Sequence, residues 1–434
     1  MFESFYNQSF KIRGGEFGLS AFFCGFFQRL DFFESFNKFL RINHEFDFKM
    51  GALRRNAAML RAPLLAANVT TGPESPPIDF CKPSVRYRVK GIEVGVIGLA
   101  TIDTPRTTFP SHVEGLRFEA YLPAVRAQAR ALVADGAEVL IVLAHVPLAD
   151  LRPVAEATAD LPIRLFIGGH DHQRQLEVIE RDPATEADDV VMINPGPYAQ
   201  HYGAVALTFA GGELIAHAAR IVPVVGPPVD PPREPTVAAI VDRASEAVRP
   251  LLEQVVGRLD TRAEPGTLDF SPLGHLVADA WLERFSHAEV AITNLGGLRQ
   301  PLEAGSVRMR DIMGTLPFSN DLVLVRLTPA QLRESLQGST MLVGGIRYYY
   351  HLEAGRRVIT RLQTSQGQPL EENRRYTVIT TDFLYAGGDG MPFRRMDPEP
   401  TRLGVSWREP LVEYFRRRPD RGVVPPSDPR ALPD

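Results

Sequence analysis

Between residues 85 and 209, short apolar runs rich in β-branched residues alternate with segments whose apolar positions recur at helical spacing. Residues 85–99 (VRYRVKGIEVGVIGL) read as a hairpin turning at Lys90-Gly91. Residues 119–135 carry the helical period and stop at Gly136, a residue suited to the left-handed position that closes a helix. The runs 138–143, 163–167 and 190–193 read as buried strands, and 204–209 as a final one. Strands alternating with helices predict a layered α/β domain, in which ligands bind past the carboxyl ends of the strands. Nearer the start, residues 19–27 form a short apolar run flanked by Gly and Arg, expected to pack as a helix.

The pattern changes after residue 222. Residues 222–235 (VPVVGPPVDPPREP) form a stiff proline-rich connector. Residues 236–256 then predict one long helix, with Ile240, Val241, Ala244, Val248, Leu251, Leu252 and Val255 near one stripe and Pro250 interrupting it. Beyond it lies an α+β segment with a helix at 273–285 and strands near 289–292 and 322–327. The expected organisation is therefore a domain at 1–222, a linker and helix at 223–256, a second domain at 257–416 and a loosely ordered, Pro- and charge-rich tail at 417–434. A length of 434 residues favours two domains, and 44% apolar with 23% charged residues lets each bury a core.

A formal net charge of −4 gives none of the basic excess that a nucleic-acid polymer attracts, so a small-molecule partner is the better expectation. No run reaches the roughly 18 apolar residues of a membrane span, and the first ten residues show no signal-peptide pattern. The two cysteines, Cys24 and Cys81, fit no metal knuckle and assign no compartment. Oligomeric state is not legible. Fourteen of the 25 phenylalanines lie in the first 50 residues, and all lysines (Lys11, Lys38, Lys49, Lys82, Lys90) in the first 90, which reads as a seam in the origin of the sequence.

Chemistry concentrates in four places. Asn43-His44-Glu45-Phe46-Asp47, Ala144-His145 and Gly168-Gly169-His170-Asp171-His172 place Asn, His and Asp at the ends of apolar runs, where such side chains suit divalent metals. Alternation along an extended segment would turn His170 and His172 to one side. His44 and Asp47, three residues apart, are close enough for the carboxylate to orient the imidazole as a general acid. In Asn294-Leu295-Gly296-Gly297-Leu298-Arg299, two glycines let backbone approach a polar ligand and an arginine can grip its charge. Metal ligands paired with a cationic grip suggest phosphoester hydrolysis, which needs an activated water and neutralised phosphoryl oxygens.

The run 14–68, with LAH at 143–145 and GGHDH at 168–172, resembles the metallophosphoesterase domain of the 5′-nucleotidase/UDP-sugar hydrolase family. The resemblance extends over Ser271-Pro272-Leu273-Gly274, residues 294–299, Leu316-Pro317-Phe318-Ser319-Asn320 and residues 381–390 (TDFLYAGGDG). It implies a layered α/β metallophosphoesterase-like domain joined by a linker helix to an α+β substrate-binding domain. It also implies two divalent metal ions, with Zn, Mn, Mg and Ca not distinguished. Asn43, His145 and His170 would bind one metal and His172 the other, with His44 and Asp47 as the catalytic dyad. Phe318 and Phe383 would sandwich a nucleobase, Arg299 would hold phosphate, and Asn294, Gly296, Gly297, Asn320 and Asp389 would complete the substrate contacts.

Three departures accompany the likeness. No Asp-x-His motif precedes Gly14, Glu16 stands where the family has a metal-bridging Asp, and Ile42 replaces the Gly before the Asn-His-Glu segment. These predict a weakened metal site and an N-terminus that starts late relative to the family. Relatives are typically exported, but this sequence assigns no location. The expected activity is nucleotide phosphoester hydrolysis; the alternatives are a degenerate nucleotide-binding protein, or a hydrolase of a cyclic nucleotide or nucleotide-sugar.

Overall fold

A computed structural model describes the backbone of residues 17–23 and residues 43–60, 63–72, 78–181, 188–210, 213–224, 235–337, 339–419 and 421–434. The chain divides into two compact units, Met1–Val237 and Ala238–Asp434. Glu16, Ile42 and Cys24 lie outside the described residues.

The first unit is built on a six-stranded sheet in the order Arg174–Ile179, Val190–Pro195, Ile163–Ile167, Val139–Ala144, Ile92–Leu99, Ser84–Val89. The four central strands run parallel and the two outer ones antiparallel to their neighbours. The strand VLIVLA is buried at every position because both faces of the sheet are covered, which explains its unbroken apolar run. Helices Tyr121–Ala134 and Leu148–Ala157 cover one face, the first through Val125, Ala129 and Leu132 at helical spacing. The second face packs against Val205, Leu207, Phe209 and Leu214 of a three-stranded sheet, Phe17–Phe23, His201–Ala210 and Glu213–Pro223. The layers are thus helix, sheet, sheet. The Ser84–Val89/Ile92–Leu99 hairpin turns through Lys90 and Gly91, both at positive φ (50° and 92°), as a two-residue turn matched to strand twist requires.

Of the apolar run 19–27 expected as a helix, residues 19–23 belong instead to the strand Phe17–Phe23, paired antiparallel with residues 203–209, and residues 24–27 lie outside the described residues. A short apolar run has no decisive period, so a long strand offering backbone partners along seven residues settles its form.

The helix Pro235–Leu252 spans the boundary between the units, carries Pro250 in its last turn and has no buried residue. In the second unit a five-stranded sheet runs Met341–Gly344, Val290–Asn294, Tyr376–Thr381, Asp321–Leu327, Thr401–Ser406. One face packs on helices Pro272–Arg284 and Glu409–Arg416 through Trp281, Trp407 and Phe415. The other packs on helix Pro329–Leu336 and the hairpin Ile346–Glu353/Arg356–Thr364. Of the tail 417–434, expected to be loose, residues 417–419 and 421–434 are built in. Val423 is buried and bridges Leu259, Ala431–Pro433 adds a parallel strand to Ile346–Glu353, and buried Arg430 ion-pairs with Asp279. Averaged composition hid these few apolar anchors among prolines and charges. Among the described residues no helix is long and apolar enough to cross a membrane.

Candidate functional site

In the first unit, parallel strands bring their carboxyl ends to one edge. His145 follows Val139–Ala144 and its backbone N–H donates to Leu99 O; Gly168 and Gly169, after Ile163–Ile167, donate to Ile193 O and Val146 O. Gly168 has no space for a side chain, since a Cβ there would stand 2.6 Å from Leu148. This packing sets His170 beside His145, with Nδ1 of His170 3.3 Å from Nε2 of His145. Two imidazole nitrogens on one tetrahedral ion, each at about 2.0–2.1 Å, stand about 3.3–3.4 Å apart. The observed spacing fits that requirement.

The second histidine of the motif goes elsewhere. His170 and His172 both hold left-handed backbone (φ 81° and 60°), so the segment is not extended and its side chains do not simply alternate. His172 packs edge-on against Tyr198 at 5.3 Å. Between them Asp171 ties the turn together, its Oδ1 accepting from Asn194 Nδ2 (2.8 Å) and from Gln173 N (3.1 Å). Asn194 is buried at the end of the neighbouring strand and also accepts from Gly196 N.

Asn43 is buried, and Thr107, beyond the strand Ile92–Leu99, donates to its Oδ1 at 3.0 Å. The other end of that amide, Nδ2, is buried with no hydrogen-bond partner among the described residues. If the amide is turned over so that Thr107 accepts instead, the orphaned end becomes a carbonyl oxygen suited to a cation. His44 opens a short 3-10 helix, His44–Phe48, which brings Asp47 back to it: Nδ1 to Oδ2 is 2.9 Å. The second carboxylate oxygen accepts from Thr108 Oγ1 at 2.8 Å. With both oxygens engaged, Asp47 selects the His44 tautomer that carries its proton on Nδ1. Among the described residues, no group of three or more His, Cys, Asp or Glu is placed to hold a metal ion.

The second unit gathers its candidates at one end of its sheet. Val290–Asn294 ends there, Tyr376–Thr381 runs parallel to it and ends there, and Asp321–Leu327 runs antiparallel and begins there. Asn294 Nδ2 donates to Asp389 Oδ2 (2.8 Å), while its buried Oδ1 has no hydrogen-bond partner among the described residues. Gly297 passes so close that a Cβ would lie 2.8 Å from that oxygen and 3.1 Å from Trp407; Gly296 is exposed beside it. The Arg299 guanidinium lies 5.0 Å from the Phe318 ring centroid. Phe318 is half-buried against the core on the Trp407 face, and Phe383 is half-buried against the core on the other. Phe383 rests on Gly388, where a Cβ would meet its ring at 2.4 Å. Asp389 holds positive φ (51°) in the turn that follows. Buried Asn320 accepts through its backbone O from Trp407 N. Asp382 Oδ1 accepts from Asp321 N at 3.0 Å, and burial raises the Asp382 carboxyl above its usual range. Ser271, opening the SPLG motif, caps helix Pro272–Arg284 by accepting from Gly274 N, a structural task.

Sequence reasoning did not single out Thr107, Thr108, Asn194, Trp407 or Arg408. Asn194-Pro195-Gly196, a polar residue and turn closing a buried strand, carried a readable signal. The threonines and the Trp-Arg pair act through tertiary hydrogen bonds that leave no local pattern.

Residues 255–395 match the family model described as the 5′-nucleotidase C-terminal domain. The chain is 24% identical over 397 residues to the 5′-nucleotidase of Diplobatis ommata, covering 80% of this chain and 68% of that protein. Its fold is similar to the 5′-nucleotidase of Thermus thermophilus (TM-score 0.80, 22% identity, 91% of this chain and 83% of that one). It is similar also to the sulfate thiohydrolase SoxB of that organism (TM-score 0.76, 18% identity, 91% and 72%). The chain therefore carries a 5′-nucleotidase C-terminal domain and is a relative of the 5′-nucleotidase hydrolases in sequence and in fold.

Proposed function

We propose that the protein is a metal-dependent hydrolase of nucleotide phosphoesters. The observation that carries this reading is the meeting of His145 and His170 at 3.3 Å, at the carboxyl ends of adjacent parallel strands. In this reading those two imidazoles would hold a divalent cation with Asn43 adding its amide oxygen, His172 would serve a second ion, and Glu16 stands at the family's metal-bridging position. The cation, when bound, supplies an activated water and neutralises charge on the phosphoryl oxygens.

The chain's own groups do the rest. His44, its Nδ1–H held by Asp47, gives a second proton, carried on Nε2, to the departing alkoxide oxygen as the phosphoester bond breaks. In the second unit Phe318 and Phe383 stack on the nucleobase, and Arg299 makes charge-assisted hydrogen bonds to phosphate. Asn294, Gly296, Gly297, Asn320 and Asp389 contact the nucleoside. Asn294 supports that role with a buried carbonyl oxygen that finds no hydrogen-bond partner among the described residues. Phosphate release from a panel of nucleoside monophosphates, with and without added divalent metal, tests the proposal. Metal-dependent release supports it; no release under any metal overturns it.

A second reading has its own observation. No group of three or more His, Cys, Asp or Glu is placed for a metal among the described residues, which suits a nucleotide binder with little catalysis. Nucleoside binding without hydrolysis, at less than one metal per chain, would favour it.

A further inference from the structure

Phe318 and Asn320 sit in a loop and Asn294 at the very end of its strand, and loops position side chains only as well as they are held. Two consecutive residues, distant in sequence, hold the segment 316–320. Arg408 donates from Nε to Leu316 O (2.5 Å) and from Nη2 to Phe318 O (2.6 Å). Trp407 donates from its indole to the same Phe318 O (2.8 Å), and its backbone N–H donates to Asn320 O (3.1 Å). The Trp407 ring also closes the space above Gly297, three residues past Asn294. Trp407 is itself fully buried, with its carbonyl accepting from the Trp281 indole at 2.9 Å.

We propose that Trp407 and Arg408 are positioning residues for the nucleoside site: they fix the Phe318 ring by clamping the carbonyls on either side of it, and Asn294 by packing over Gly297. The inference rests on the nucleotide-binding reading above. Both residues lie outside the stretch 255–395 that matches the C-terminal domain model. The guanidinium suits the task because its rigid fork reaches two carbonyls at once, which an ammonium does not reproduce. A shift of the loop by an ångström would spoil stacking without touching the chemistry of phosphate release.

The experiment uses the full chain and adenosine as probe, reading affinity by calorimetry and by the fluorescence of the two tryptophans. Arg408→Ala is expected to weaken adenosine binding at least about tenfold, with Arg408→Lys recovering only part of it. Arg418→Ala, outside this bracket, is the control for general destabilisation and keeps wild-type affinity. In Arg408→Ala the KM for a nucleotide rises several-fold more than the KM for glycerol phosphate, a phosphoester without an aromatic group. Should Arg408→Ala fail to fold, Arg408→Lys alone decides, since it keeps the charge and loses the fork. Wild-type adenosine affinity in either folded variant overturns the inference. Absence of adenosine binding in the unmutated chain instead overturns the nucleotide reading beneath it.

Discussion

Gly388→Ala isolates the contribution of Phe383 without removing an atom from it. A Cβ at residue 388 would stand 2.4 Å from ring carbons Cε2 and Cζ, against 3.4–4 Å for ordinary contact, so the ring must retreat by about 1 Å. The backbone itself accepts alanine, since Gly388 is not among the glycines held at positive φ. Base stacking on an aromatic ring is worth about 1–3 kcal/mol, and an ångström of displacement forfeits a large part of it. The expected cost is ~1–2 kcal/mol, or roughly a 5- to 30-fold rise in adenosine Kd measured by calorimetry. Glycerol phosphate, which lacks a base, is expected to turn over as before. An unchanged adenosine Kd in folded Gly388→Ala would refute the stacking role assigned to Phe383.

Two further outcomes follow from the same geometry. Asp47→Asn replaces the acceptor that fixes the His44 tautomer, and kcat for phosphate release should fall by about 10²–10⁴ with KM little changed; steady-state kinetics checks this, and a kcat within threefold of wild type would remove the dyad from catalysis. His275 is buried with Nδ1 unpartnered, and burial followed by the nearby Arg430 charge depresses its pKa from 6.5 to about 4. The unfolded chain therefore binds this proton below about 6.5 while the folded chain refuses it until about 4. Stability should fall by up to about 3 kcal/mol as pH drops through that window, and denaturant melts of His275→Leu should lose that part of the slope.

Much of the first unit was legible because burial on both faces leaves continuous apolar strands, and the helices between them keep a clear period. Residues 17–23 were not, since a short phenylalanine-rich run takes its form from the strand it pairs with. The tail was misread for the opposite reason: three or four apolar anchors in a polar, proline-rich stretch are enough to dock it. Histidine spacing singled out the segments but not their geometry. Left-handed backbone at His170 and His172 sends one ring to His145 and the other to Tyr198, which an alternating pattern does not foresee. In the second unit Asn294, Arg299, Phe318 and Phe383 were named from sequence, and the strand ends bring their segments to one end of the sheet. The residues that hold the Phe318 segment there, Trp407 and Arg408, act across about 90 positions of sequence and were silent in it.

The central claim is that His145 and His170 bind one divalent cation on which nucleotide hydrolysis depends. Equilibrium dialysis of chelator-stripped protein against Zn2+ or Mn2+, with metal counted per chain and phosphate release from AMP followed on the same samples, tests it most directly. The account predicts at least one bound ion with activity returning in step, and loss of both in His145→Ala and His170→Ala. Activity that survives the chelator, or metal bound equally well by the two variants, would contradict it.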